Sequence, residues 1–354
     1  MKNTGQTKEP ENGPLVSIIV LTVNATGYLE KCLHSLSEQT YSNIEIIVVD
    51  NGSTEDIAGF LEKEFPAVHC VRIEKNIGFA GGNNKGVKVA KGEYIALINN
   101  DAVADANWIM AMVKTAETDS MIGAIASAVV DGKNPSLLDS FGMGIAIDGM
   151  SRQARHGSPV SDLSAPERVL AVSGCACLLR SKTLKETGLF DERFFAYCED
   201  TDLSLRLCWA GWKIIAEPRA RVAHYHSHTV GRFSVKKVFW VERNHYWVAL
   251  KNFPFFLVFL IPLVTLWRLV IQLYVLIAGE RALTAFVKTG GFCKVGLSVV
   301  GANLVALSGA PSMIMAGLFS DCPKRISTGE MIRLLLKYRL SVYEIITGKT
   351  AKRE

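Results

Sequence analysis

The first hundred residues alternate between short apolar runs and segments with helical periodicity. Runs rich in β-branched residues are typical of strands buried on both faces, and here they read VSIIVLTV, IEIIVV, VHCVRI and YIALIN. Gly27–Glu38 carries an apolar face, STEDIAGFLEKEF begins with Ser53 as a predicted helix cap, and Gly78–Ala90 follows as a third helix. This β-α-β-α-β-α-β order predicts an α/β fold with a mostly parallel sheet flanked by helices.

Polar residues follow each predicted strand, at Asn24, Asp50, Asn76 and Asp101. Right-handed crossovers bring the carboxyl ends of parallel strands to one edge, where open α/β sheets bind ligands. We therefore expect these four side chains to converge although they lie far apart in the chain.

Two of these positions admit both a structural and a binding interpretation. Asp50 precedes Asn-Gly and suits a turn, but it could also accept a hydrogen bond from the N3–H of a pyrimidine base. The segment NIGFAGGNNKG (76–86) could bring backbone amides close to a phosphate at a helix N-terminus. It matches neither the dinucleotide-binding fingerprint nor the P-loop.

Asp101 ends the fourth run and is either a turn residue or a metal ligand. Mg²⁺ or Mn²⁺ takes oxygen ligands and commonly binds one or two carboxylates plus substrate phosphates. A single Asp therefore needs a diphosphate and a second protein ligand. The sequence HYHSH offers His224, His226 and His228, predicted on one face of a strand; zinc is disfavoured because no cysteine partner or H-E-x-x-H helix accompanies them.

The segment YCEDTDLSLR groups Glu199, Asp200 and Asp202 at a predicted helix start. Acids are favoured there by the helix dipole, so capping is one interpretation. Carboxylates crowded beside aromatic residues have raised pKa values, which suits a general base. Between these motifs, residues 127–166 are rich in Gly, Ser and Pro, and we expect irregular structure forming an acceptor-side wall.

Two apolar runs dominate the C-terminal third. Phe253–Gly279 contains one charge, Arg268, and Val295–Ser320 contains none; about 20 apolar residues suffice to cross a bilayer. A stripe of small residues every four positions in the second run favours helix packing in lipid. Arg268 is expected to have a partner such as a lipid phosphate, and spanning, re-entrant and interfacial arrangements all stay open.

The net charge of +5 does not indicate nucleic-acid binding, because the basic residues flank the apolar runs. That placement favours the cytoplasmic face of a membrane, and the scattered cysteines are expected to be reduced thiols. The predicted organisation is a polar tail without a secretory signal (1–13), a catalytic domain (14–230), a basic and aromatic interfacial helix (231–252), membrane helices (253–320) and a basic C-terminal segment (321–354).

Taken together, the motifs VSIIVLTVN, IEIIVVDNGSTED, NIGFAGGNNKG, YIALINNDA, SGCACLLR and GLFDERFFAYCEDTDLSLRLCWAGW resemble, in this order, the inverting family-2 glycosyltransferases of GT-A fold, especially their rhamnosyltransferase-like branch. The resemblance covers Leu15 to about Gly231. Asn99 stands where the D-x-D metal motif has its first acid, and the Asn-x-Asp form is familiar in that branch.

The resemblance implies a role for each matching residue. Asp200 would be the catalytic base, with Glu199 beside it, and Asp101 and His224 would bind Mg²⁺ or Mn²⁺. The implied nucleotide-sugar residues are Thr22, Asn24, Asp50, Asn76, Gly78, Asn84 and Asn100. The implied acceptor-side residues are Gly174, Cys175, Tyr197 and Trp209.

It also implies the reaction and its partners. We expect inverting transfer of a sugar, with dTDP-rhamnose as the first candidate donor and a UDP-hexose or another nucleotide sugar as the second. The expected acceptor is a polyprenyl-diphosphate-linked saccharide used in cell-surface polysaccharide assembly at the inner membrane. A homo-oligomer is left open, a processive synthase is disfavoured by the absence of Q-x-x-R-W, and the alternative of another class is a non-catalytic membrane scaffold.

Overall fold

The computed structural model describes residues 13–226, 234–277, 291–341 and 344. Its strands are β1 (Val16–Thr22), β2 (Ile44–Asn51), β3 (His69–Ile73), β4 (Tyr94–Asn99), β5 (Ala102–Ala104), β6 (Ile122–Asp131), β7 (Asn134–Phe141), β8 (Met143–Ile145), β9 (Ser151–Gln153), β10 (Glu167–Arg168), β11 (Ala176–Arg180) and β12 (Lys213–His224). Its helices are α1 (Thr26–Ser37), α2 (Ile57–Glu64), α3 (Gly78–Val89), α4 (Trp108–Ala116), α5 (Ser181–Thr187), α6 (Glu199–Trp209), α7 (Val235–Asn252), α8 (Phe255–Val258), α9 (Ile261–Ile277), α10 (Phe292–Leu318) and α11 (Thr328–Lys337).

The main sheet is mixed, in the strand order β10-β12-β6-β11-β4-β1-β2-β3, with β5 paired to β12 and β7 paired to β6. Strands β3, β2, β1 and β4 are parallel to one another, as the alternating pattern predicts. The antiparallel β11 separates them from the parallel pair β6 and β12. Alternate residues of β1 enter two hydrophobic clusters, Ile19 in one and Ile18 and Val20 in the other, so both faces of the sheet are covered.

Two local predictions are wrong. The cap of α2 is Asp56, whose side chain accepts from the Gly59 amide; Ser53 instead accepts from the Asn24 amide. Residues 127–166 are not mainly irregular, because the second half of β6, all of β7 and the β8–β9 hairpin lie there. Their weak hydrophobic periodicity concealed strands that pair with β6 and with each other.

The small-residue stripe of α10 packs against α7. Ala302 and Ala306 are buried, the Ser298 hydroxyl donates to the Val235 carbonyl at 3.0 Å, and the Trp247 indole N–H donates to the Ala306 carbonyl at 3.2 Å. Within the described residues one helical stretch, Cys293–Leu318, is long and apolar enough to cross a membrane by length and composition. The first apolar run instead forms the short helix α8 and then α9.

Arg268 of α9 forms ion pairs with side chains of the protein, whereas the sequence led us to expect a partner such as a lipid phosphate. Its guanidinium is fully buried, with Nε 2.9 Å from Asp148 Oδ2 and Nη2 2.9 Å from Glu242 Oε2. Asp148 belongs to the β8–β9 hairpin and Glu242 to α7, so a charge within an apolar run joins three parts of the chain. All eight cysteines are free thiols in this structure.

Candidate functional site at the carboxyl edge of the sheet

Strand register brings the predicted polar residues to one edge. Thr22 at the end of β1 lies opposite Asp50 of β2, which lies opposite Arg72 of β3. On the other side of β1, the amide of Asn99 at the end of β4 donates to the Cys175 carbonyl at 2.8 Å. The edge therefore includes the segment that enters β11 as well as the parallel strands.

Asp50 is fully buried and already has two partners. Its Oδ2 lies 2.7 Å from Arg72 Nη1, and its Oδ1 accepts from the Ser53 amide at 2.9 Å. The Arg72 side chain is half exposed, so a positive charge borders the position predicted for the nucleotide base. Arg72 was not among the predicted site residues, because its only local signal is its place in a short strand.

Asn24 and Thr22 organise the neighbouring loops. Asn24 adopts a left-handed backbone (φ 57°), and its Oδ1 accepts from the amides of Thr54 and Glu55 at 2.8 and 3.2 Å. The Thr22 hydroxyl donates to the Asn24 carbonyl and accepts from the Asn100 side-chain amide at 2.9 Å. These bonds fix the ends of β1 and β4 relative to each other.

The glycine-rich helix α3 packs against the loop before α6. Gly78 has a φ of 82°, and a Cβ there would lie 2.3 Å from the Phe195 carbonyl oxygen, so only glycine fits. Asn76 Oδ1 accepts from the Gly78 amide at 2.8 Å. Asn84 is buried and bonds both the amide and the carbonyl of Phe190. Its side chain thus supports the fold near the predicted phosphate side.

His224 joins two carboxylates at the end of β12. Its Nε2 lies 3.4 Å from Asp101 Oδ1, and its Nδ1 lies 3.0 Å from Asp139 Oδ2. Two atoms that each bind one cation at about 2.1 Å lie roughly 3.0–3.5 Å apart. Asp101 and His224 therefore fit the predicted cation site, with one oxygen and one nitrogen donor. His228 lies outside the described residues.

Asp139, which was not among the predicted site residues, contacts three imidazoles. His156 Nδ1 lies 2.9 Å from the Asp139 carbonyl oxygen, and His226 Nε2 lies 3.4 Å from Asp139 Oδ1. β12 ends at His224, and the left-handed backbone of His226 (φ 51°) places the two rings 4.0 Å apart. The paired rings thus arise from a turn rather than from strand periodicity.

The charges of this cluster stabilise one another. Burial alone would raise the pKa of Asp139, but the neighbouring imidazoles of His156, His224 and His226 hold it well below its ordinary value. Burial opposes a charged His224, yet the Cys175 thiol and hydrogen bonds with Asp101 and Asp139 raise its pKa on balance. The cluster therefore retains an ionised carboxylate at neutral pH.

The predicted base, Asp200, lies in the first turn of α6. Its Oδ2 accepts from the Gly174 amide at 3.0 Å and its Oδ1 from the Thr201 amide at 2.7 Å. Burial raises the pKa of Asp200 despite these bonds. Glu199 is more deeply buried, its Oε2 has no hydrogen-bond partner among the described residues, and burial followed by the charge of Asp200 raises its pKa well above the ordinary value.

The loop before α6 has an unusual backbone that α7 supports. Phe195, Tyr197 and Cys198 all have φ between 65° and 70°, which is uncommon for residues other than glycine. The fully buried Asn244 of α7 donates from Nδ2 to the carbonyls of Phe194, Ala196 and Tyr197 at 2.7–3.0 Å. No local sequence pattern marks Asn244, because its partners lie some 50 positions away.

The four predicted acceptor-side residues do not lie together. Gly174 and Cys175 connect Asp200 to Asn99 and His224. The Tyr197 ring lies elsewhere, near Trp240, and Lys237 Nζ lies 5.2 Å from the centroid of the Tyr197 ring. Trp209 lies nine residues after Asp200 in α6, which corresponds to roughly 14 Å along a helix. Its indole N–H donates to the Asn252 carbonyl at 2.8 Å, so Trp209 anchors α7.

Residues 17–188 match the sequence profile of a family described as glycosyl transferase family 2. An uncharacterized glycosyltransferase of Haemophilus influenzae is 36% identical over 120 residues, which cover 33% of this chain and only 37% of that protein. The N-acetylglucosaminyl-diphospho-decaprenol L-rhamnosyltransferase of Mycobacterium tuberculosis is 27% identical over 248 residues, covering 62% of this chain and 78% of that protein.

A solved structure supports the fold. The crystal structure of GalNAc-T7 with UDP, GalNAc and Mn²⁺ superposes with a TM-score of 0.56 and 18% identity, covering 68% of this chain and 48% of that one. The predicted fold class is thereby confirmed: a GT-A-type mixed α/β sheet with flanking helices, followed by an apolar C-terminal helix.

Proposed function

We propose that this chain, which contains a glycosyl transferase family 2 domain at residues 17–188, is a cation-dependent inverting glycosyltransferase acting at a membrane. The observation that carries the proposal is the meeting of separate elements at one edge of the sheet. Gly174 and Cys175 contact Asp200 on one side and Asn99 and His224 on the other. The proposed base and the proposed cation site are thus connected by two adjacent residues.

Asp200 would remove the proton from the acceptor hydroxyl as that oxygen attacks the anomeric carbon. Its two backbone hydrogen bonds fix the carboxylate in place, while burial raises its pKa toward the range useful for a base. Glu199 would remain protonated, since its pKa is raised well above the ordinary value. Because the pKa of Glu199 is raised well above its ordinary value, Asp200 is the better candidate for the base.

The donor would bind along β1, β2 and the start of α3. Asp50 and Arg72 border the position predicted for the nucleotide base of the donor. Gly78 allows the backbone to approach the donor phosphates closely on the other side. Asp101 and His224 would hold a divalent cation, which when bound supplies positive charge to stabilise the departing nucleoside diphosphate.

The membrane part of the proposal rests on an unusually apolar surface. Large exposed side chains cluster in α8, α9 and α10, including Phe255 and Tyr274 at 71% and Leu297 at 72% exposure. Soluble monomers rarely expose extended apolar patches. We propose that these helices place the catalytic domain on the cytoplasmic side of the inner membrane, facing a polyprenyl-diphosphate-linked acceptor. The mycobacterial relative carries such an acceptor in its name.

The experiment combines purified protein in detergent with dTDP-rhamnose, UDP-hexoses and GDP-mannose, each with a synthetic polyprenyl-diphosphate-GlcNAc acceptor. Sugar transfer that depends on Mn²⁺ or Mg²⁺ and inverts the anomeric configuration, as seen by NMR of the product, supports the proposal. We expect dTDP-rhamnose to be the preferred donor. Neither transfer nor donor hydrolysis with any nucleotide sugar would favour the non-catalytic scaffold.

A further inference from the structure

The cluster around Asp139 contains donor atoms that the proposed catalytic site does not use. Asp139 faces Nδ1 of His224, whereas Asp101 faces Nε2, and His226 Nε2 lies 3.4 Å from Asp139 Oδ1. One ligand atom from each of Asp139, His224 and His226 can be chosen so that all three lie within 4.8 Å of one another. The three residues come from β7 and the end of β12, which are held by the same sheet.

His226 supplies the observation that points to a ligand. Its Nε2 is inaccessible to solvent and has no hydrogen-bond partner among the described residues, although Asp139 Oδ1 lies 3.4 Å away. A buried nitrogen without a hydrogen bond is costly. A separation of 3.4 Å is long for a hydrogen bond but fits two ligands of one ion, which lie roughly 3.0–3.5 Å apart.

His156 lies beside Asp139, but its Nδ1 is not available to bind a metal ion. Its Nδ1 lies 2.9 Å from the Asp139 carbonyl oxygen, so that nitrogen carries the proton and donates. This bond orients Asp139 in the manner of the outer groups that support metal ligands. The available donors are then one carboxylate and two imidazoles.

We propose that Asp139, His224 and His226 form an alternative cation site, which binds a divalent transition-metal ion such as Zn²⁺ or Mn²⁺ through His224 Nδ1 when no nucleotide is bound. Two imidazoles and one carboxylate suit these ions, whereas Mg²⁺ and Ca²⁺ prefer oxygen ligands. Three protein ligands also remove the need for substrate phosphates, unlike the pair Asp101 and His224. The proposal goes beyond the proposed function, because ion binding here requires no donor.

The test uses full-length protein in detergent, stripped with EDTA and free of nucleotide. Zn²⁺, Mn²⁺ and Mg²⁺ are titrated separately by calorimetry, and bound Mn²⁺ is followed by EPR. We expect one Zn²⁺ or Mn²⁺ per chain and much weaker Mg²⁺ binding. His226→Ala and Asp139→Asn should each weaken Zn²⁺ binding by about tenfold or more.

Two control variants locate the ion. His156→Gln should change Zn²⁺ affinity less than His226→Ala does, and Asp101→Asn should bind Zn²⁺ like the wild type when nucleotide is absent. Circular dichroism of each metal-free variant checks folding, and the partly exposed His226 is the safer substitution. Absence of Zn²⁺ and Mn²⁺ binding by the wild type, or wild-type affinity in His226→Ala, would establish an ion-pair cluster and overturn the proposal.

Discussion

Arg268 Nε lies 2.9 Å from Asp148 Oδ2, which ties an apolar C-terminal helix to a hairpin of the α/β domain. The same hairpin continues to Ser151, whose hydroxyl accepts from Thr201 Oγ1 at 2.8 Å next to Asp200. The apolar helices and the proposed base are therefore linked through contacts of one short hairpin.

Arg268→Met should destabilise the protein strongly. The substitution leaves Asp148 and Glu242 as buried, unpaired charges, and breaking a buried ion pair from one side costs about 3–5 kcal/mol. Thermal unfolding in detergent measures the effect. Lys63→Met is the control, because Lys63 and Glu64 form an exposed pair that contributes little to stability. Equal melting of the two variants would contradict this role of Arg268.

Asp200→Asn and Glu199→Gln should differ sharply in activity. Loss of a general base lowers kcat by about 10²–10⁴-fold, while donor affinity, measured by calorimetry, should stay near the wild-type value. Glu199→Gln should retain most activity, because glutamine resembles the neutral acid that the raised pKa of Glu199 favours. Full turnover by Asp200→Asn would show that another group is the base.

The dependence of stability on pH should also reflect Glu199. A carboxyl group with a raised pKa in the folded state stabilises the fold below its unfolded pKa, and that contribution is lost as pH rises through the folded pKa. The window therefore opens near the ordinary value of 4.5 and extends upward. Glu199→Gln should lose less stability over this window in melting curves; parallel curves for both proteins would refute the assignment.

Asn244→Ala should impair catalysis by releasing the loop before α6. The carbonyls of Ala196 and Tyr197 lose their side-chain donor, whereas that of Phe194 keeps Arg243; each buried group left unpaired costs about 1–3 kcal/mol. We expect lower kcat with a nearly unchanged KM for the donor, since the displaced loop carries Asp200. Asn303→Ala on α10, which removes the acceptor of the Tyr246 hydroxyl, is the matched control. A fall in stability with unchanged kcat would limit Asn244 to a folding role.

Two glycines of α10 should be required for its contact with α7. A Cβ at Gly317 would lie 2.2 Å from the Lys251 carbonyl oxygen, and one at Gly309 would lie 2.7 Å from the Trp247 ring. Gly317→Ala should therefore lower the melting temperature in detergent. Gly296→Ala meets no atom within 4 Å in the same helix and should be neutral or stabilising by up to about 1 kcal/mol. A lower melting temperature for Gly296→Ala than for Gly317→Ala would contradict the observed packing of α10 against α7.

Local patterns were sufficient to predict much of the framework. Buried strands alternate with helices, and parallel strands necessarily end at a common edge, so the positions of Asp50, Asn99 and Asp101 follow from the order of elements. The first turn of α6 likewise begins where the acidic cluster indicated. Such features depend on neighbouring residues and on chain direction alone.

The partners of those residues depended on long-range packing. Asp139 meets His224 across 85 positions, and Asp148 meets Arg268 across 120. A shift of one residue in strand register would turn Asp139 to the other face of the sheet, and no local pattern specifies that register. The sequence therefore determined the type of sheet and the edge where chemistry could occur. Only the tertiary structure decided which charges face each other there, because burial and register, rather than composition, bring distant side chains into contact.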